Sequence, residues 1–201
     1  MGPANGDTTA GAPARRVGLI TMLAGALFVL GGGLGVATDW SWLFVVAAIA
    51  LLLYAVPKLH RIQTPADGAV GLWGTRLFIF GAVLMVALGV VFFAWEAVGD
   101  PGEPAWAEFV WPIGFFAFLL GLVLFIGGSL KARVLDSLGL WLVVAGLVGG
   151  VALDMATGAF FEENGESTEW GFLLGVPLAG LGLLWLGYRL RSQQPAATRP
   201  A

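Results

Sequence analysis

Few side chains in this 201-residue sequence could carry chemistry, and their types restrict what that chemistry could be. Cysteine is absent and histidine occurs once, as His60. Thiol nucleophiles, disulfides, iron–sulfur clusters and thiolate zinc sites are therefore excluded. A haem held by two histidines of one chain is excluded too. A retinal-type Schiff base needs a lysine inside the bundle, but Lys58 and Lys131 both stand at the ends of apolar runs. Carboxylates remain. Glu96 and Asp154 each lie about 20 residues from the arginine that opens their apolar run, at the opposite end of that run. Together they form a candidate carboxylate pair at the mouth of a cavity, suited to a cation or a cationic solute. The segment FFEENGESTEW, residues 160–170, adds Glu162, Glu163, Glu166 and Glu169 around an Asn164-Gly165 turn signal. It lacks the alternating Asp/Asn spacing of an EF-hand, so it reads as an acidic loop for docking a basic partner or for weak cation binding. No catalytic, cofactor-binding or metal-ligating set stands out, and nothing supports nucleic-acid binding. The expectation is a protein that is not an enzyme.

The elements that would position these residues are apolar helices. Hydrophobic residues make up 58% of the chain and charged residues 11%, where a soluble domain carries about a quarter charged. A bilayer-crossing helix needs roughly 20 predominantly apolar residues. Six such runs are legible, at about 17–38, 40–57, 76–98, 109–130, 134–157 and 170–190. The reading is an all-α integral membrane protein, a six-span bundle over 17–190 between polar tails at 1–16 and 191–201. The N-terminal tail is rich in Gly, Ala, Pro and Thr and reads as disordered, and the C-terminal one reads as a short polar cytoplasmic tail. Cleavage of the first run as a signal peptide is disfavoured, because the run is long and a second span follows at once.

Charge placement sets the expected orientation, since Lys and Arg flanking spans are retained in the cytoplasm. All ten basic residues fall on one side: Arg15 and Arg16, then Lys58, Arg61 and Arg76, then Lys131 and Arg133, then Arg189, Arg191 and Arg199. Both termini are therefore expected to be cytoplasmic, in the plasma (inner) membrane. Ten of the thirteen acidic residues fall on the other side, leaving Asp7, Asp67 and Asp136 with the basic ones. Trp40, Trp42, Trp95, Trp106, Trp111 and Trp170 cluster at that outer boundary, where an indole suits the headgroup layer.

Each odd span runs from arginine to an acidic residue and each even span from tryptophan to a basic pair. The plan is three helical hairpins. The glycine spacings Gly31/Gly35 and Gly146/Gly150 remove side chains four residues apart, letting lipid-embedded helices approach closely. Such faces could pack within the bundle or against a homo-oligomer or a membrane-protein partner. Pro177 inside the sixth run removes one backbone hydrogen bond and predicts a kink. In size and span count alone, the chain resembles small bacterial membrane proteins such as the HdeD-like group, which implies neither a function nor a site residue here. Eight arginines against two lysines, with abundant Ala and Gly, suggest a GC-rich bacterial genome. The leading expectation is a non-catalytic accessory or structural subunit acting through partner or lipid contacts. The alternative is a small transporter or channel for an apolar or weakly cationic solute.

Overall fold

In a computed structural model, which describes residues 11–34, 41–64, 66–98, 106–157 and 170–192, the regular structure among the described residues is all helical. Six helices follow one another: α1 (Gly11–Leu34), α2 (Ser41–Gln63), α3 (Gly68–Val98), α4 (Ala107–Ala132), α5 (Ser137–Thr157) and α6 (Trp170–Ser192). All six are long and apolar enough to cross a membrane. Their surfaces carry large exposed apolar side chains, among them Phe109, Val90, Trp141 and Leu174. In water such a surface would be an aggregation liability, whereas acyl chains solvate it. The chain is thus a multi-pass membrane protein by its helices.

Each helix packs on its neighbours in sequence, and α6 returns to α1, so the six close into a ring in chain order. The joints are unequal. The α3–α4, α1–α6 and α5–α6 joints are extensive, while α4 touches α5 only sparsely. Packing of α1 on α6 exceeds its packing on α2, so the bundle is more than three separate sequential pairs. Neighbours run antiparallel, as the contacts of Gly18 with Gly187, Gly31 with Ser41, and Gly74 with Phe125 require. One end of the bundle, here the near end, holds the start of α1, the end of α6 and the α2–α3 and α4–α5 turns. The other is the far end.

Glycine sets the close joints, at the expected four-residue spacing of Gly146 and Gly150 and also on a longer period. Gly18, Gly25 and Gly32 of α1 face Gly187, Gly180 and Pro177 of α6 in that order. On the next joint, Gly139 of α5 meets Gly182, Gly146 meets Gly175, and Gly150 meets Gly171. Gly74 and Gly81 of α3 meet the backbone of α4 at Phe125 and Phe118, and Gly121 of α4 meets Phe78. Seven residues is the step of Gly18, Gly25 and Gly32, of Gly74 and Gly81, and from Gly139 to Gly146, two helical turns that return to nearly the same line along a helix, while Gly146 and Gly150 on Gly175 and Gly171 keep the four-residue step. Backbones then touch along the whole seam. Gly31 packs on Ser41, Phe44 and Val45 of α2, whereas Gly35 lies outside the described residues. Pro177 sits within the continuous α6, its ring packed on Gly32.

Three boundaries depart from the sequence reading. Residues 11–16, assigned to a disordered tail, form the first turns of α1. The run ending at Pro57 continues as helix to Gln63, and α3 already begins at Gly68. The expected 58–75 connection is thereby reduced to a tight turn. Proline costs one backbone bond in a helix, but Ala55, Val56 and Leu59 around it are fully buried, and that packing carries α2 through. Buried hydroxyls within the spans bond back to their own helices: Thr21 to the Val17 carbonyl at 2.9 Å, Thr75 to Gly71 and Ser129 to Phe125 at 2.8 Å each.

Asp136 starts α5. Its Oδ1 accepts from the backbone N–H groups of Leu138 at 3.1 Å and Gly139 at 3.3 Å, an N-cap. The same carboxylate accepts from the Trp185 indole at 2.8 Å and from Arg189 at 3.3 Å, tying the α5 start to the end of α6. Burial opposes its charge, but the Trp185 indole, the Gly139 amide and the Arg189 guanidinium outweigh that and hold its pKa below the ordinary carboxylate value. A carboxylate depressed on folding contributes stability above its unfolded pKa and loses it as pH falls through the folded one. Asp136→Ala should therefore lower thermal stability at neutral pH by about 1 kcal/mol, typical of a cap. Thermal unfolding in detergent should show this deficit shrinking only below the ordinary carboxylate range. A deficit that vanishes near pH 6 would contradict the assignment.

Candidate functional site

The far half of the ring is hollow. A cavity of about 240 Å³ lies between the helices, with lining residues from all six. Phe28, Ile49 and Phe118 mark its floor, and beyond them the near half is filled by a core that includes Leu52, Leu59, Phe78, Phe125, Leu140 and Leu186. The lining therefore does not extend through both ends. Local sequence explains why space persists. On α5 and α6 the lining includes Gly146, Gly150 and Gly171, which bring the two backbones together but project nothing inward. On α4 it is aromatic, with Trp111 and Phe115 stacked at 4.9 Å between ring centroids, 10° from parallel. Phe118 packs against Phe78 at 5.2 Å. Half-buried Leu147 and Val151 face in from α5, beside the sparse joint with α4.

Among the described residues, one ionisable side chain lines the chamber, Asp154 of α5, which is 8% exposed. Its Oδ1 accepts from the backbone N–H of Gly171 at 2.5 Å. Gly171 is the second residue of α6, so this N–H is one of the donors a helix start leaves without an intrahelical acceptor. The positive end of the α6 dipole faces the carboxylate, the sign that stabilises an anion. A side chain at Gly171 would strike both the Gly150 carbonyl and the Asp154 carboxyl. The seat thus exists only because both positions are glycine.

Of the expected carboxylate pair, only Asp154 is placed against the cavity. Glu96 falls in the last turn of α3, and its side chain lies outside the described residues. Glu162, Glu163, Glu166 and Glu169 of the acidic loop also lie outside them. The glycines Gly146 and Gly150 pack within the bundle on α6, and both line the chamber.

A second polar group was missed in the sequence. His60, expected in a solvated connection, lies in the last turn of α2, and its Nδ1 meets Oδ2 of Asp67 at 2.5 Å. Asp67 is 1% exposed, packed where Gly71 of α3 and Gly128 of α4 come together. Gln63, equally buried, has neither amide atom hydrogen-bonded among the described residues. A signal was present: the Thr64-Pro65-Ala66-Asp67-Gly68 stretch is turn-forming, and a tight turn there folds residue 67 back onto residue 60. Gly68 adopts φ +62°, a left-handed conformation that glycine takes without strain. An Asp–His pair orients an imidazole for proton transfer. The buried Thr75 and Ser129 hydroxyls of α3 and α4 donate to their own helices, and Thr64 Oγ1 donates to the His60 carbonyl at 2.9 Å.

Three cation–π pairs mark the near half: Lys58 over Tyr54 at 5.6 Å, Arg76 over Trp73 at 5.2 Å and Arg189 over Trp185 at 5.8 Å. Each joins residues three or four apart on one helix, as suits side chains anchored in a headgroup layer.

Comparison with family models, with curated proteins and with solved structures finds no match to this chain.

Proposed function

We propose that this chain is a non-catalytic multi-pass protein of a bacterial cell membrane that binds a small apolar or weakly cationic solute in its far-half chamber. Both termini are cytoplasmic in this reading, because the near end carries the basic residues flanking the spans. The observation that carries the proposal is the cavity itself. Its volume of about 240 Å³ exceeds the roughly 150 Å³ of a dry engineered cavity that takes up benzene. It falls somewhat below the 300 Å³ or so at which drug-sized pockets begin. A compact solute of one ring, or of similar bulk, fits that range. Ligand sites are concave and mostly apolar, with a few placed polar groups, and Asp154 supplies one. The filled near half favours a binding chamber over an open channel. A subunit that acted only through partner or lipid contacts would have no use for a hollow lined from all six helices.

Filling the chamber tests this. Leu147→Trp should reduce retention of neutral one-ring solutes at least tenfold in nanodiscs, measured by equilibrium dialysis against protein-free nanodiscs. Its thermal unfolding should stay near that of the parent. Equal retention by parent and variant would remove the proposal. Stoichiometric co-isolation of another membrane protein, with no solute retained, would return weight to the accessory-subunit reading.

A further inference from the structure

We infer that the chamber selects an organic ammonium ion with a compact apolar body over a neutral molecule of the same shape. The inference rests on the chamber binding a solute at all, and it names the class. Three observations converge. Asp154 places a carboxylate on the wall of a cavity whose other described lining side chains are apolar or aromatic. Its position is fixed from behind by the Gly171 N–H and by the backbone contact of Gly150 with Gly171. The inference needs its negative charge, not an idle oxygen.

The second observation is the aromatic wall. Trp111, Phe115, Phe118 and Phe172 line the same cavity. Ring faces carry negative quadrupole charge and attract a cation, and rings grouped around an alkylammonium are a recurring recognition device. An apolar solute gains from these rings by contact area alone. A cation gains from rings and carboxylate together, and both attractions strengthen where water is excluded. The third is position. In the sequence, no Lys, Arg or His lies within residues 77–130 or 134–188, so the far half holds no competing side-chain cation from these segments.

The charge of the solute is separable from its shape with a matched pair. Benzyltrimethylammonium and neopentylbenzene have the same heavy-atom skeleton and differ only by nitrogen in place of carbon. Binding of each to the protein in nanodiscs, corrected with protein-free nanodiscs, should favour the cation at least tenfold. Asp154→Asn keeps an acceptor for Gly171 but removes the charge, and should abolish most of that preference while leaving neopentylbenzene unchanged. Should that variant fail to fold, Trp111→Leu should lower the cation-to-neutral ratio several-fold. Equal binding of both probes, or a ratio unmoved by either variant, overturns the ammonium inference and leaves the chamber reading intact. Binding of neither probe overturns both.

Discussion

Replacing His60 by leucine should destabilise the bundle by about 1–3 kcal/mol, or more because the group is a carboxylate, the cost of leaving a buried polar group without its hydrogen-bond partner. Asp67 is 1% exposed and its carboxylate is held by the His60 ring at 2.5 Å. Leucine at position 60 therefore strands a buried carboxylate. The discriminating comparison is a double-mutant cycle. His60→Leu combined with Asp67→Asn replaces the charge by a neutral amide of the same shape and should recover a large part of the loss. Asp67→Asn alone should be milder than His60→Leu, because an amide oxygen still accepts from the imidazole. Denaturant unfolding in detergent measures all four corners. If the double variant were as unstable as His60→Leu alone, the cost would be lost packing and not a stranded charge.

Adding a single methyl group at Gly121 should cost on the order of 2–3 kcal/mol, toward the upper end of overpacking penalties. The new Cβ would meet the backbone of Phe78 and Leu77, which no side-chain rotation can clear. The helices α3 and α4 would have to separate along a seam continued at Gly81 and Gly74. Gly149→Ala is the matched control. Nothing lies within 4 Å of a Cβ at that position, and alanine favours helix over glycine by up to about 1 kcal/mol. Its stability should be unchanged or slightly raised. Thermal unfolding of the two variants side by side decides the matter, and similar losses in both would refute the seven-residue seam.

Much of this architecture was legible before any contact was known. The six apolar runs and the separation of basic from acidic ends follow from local composition, because the hydrocarbon layer imposes the same length and charge rule on every span. Boundaries were less legible. Pro57 reads as a terminus by local rules, and only the burial of Ala55, Val56 and Leu59 against other helices shows why α2 continues. Asp154 was legible as an unusual carboxylate near a span end, although its seat on Gly171 was not. Those residues are seventeen positions apart, with an acidic segment between them.

By itself the sequence determined that this is a six-helix membrane chain with chemically distinct ends, one histidine and no thiol. Tertiary structure alone decided which glycines are seams. Gly149 and Gly150 are neighbours in sequence, yet one meets open space and the other the Gly171 carbonyl. It also decided that α1 returns to α6, that His60 finds Asp67, and that the far half stays hollow beside the Asp154 carboxylate. Partitioning into a bilayer sums over residues and is indifferent to neighbours, so it can be read along the chain. Close packing depends on which backbones meet and in what register, and that is set only when all six helices are in place.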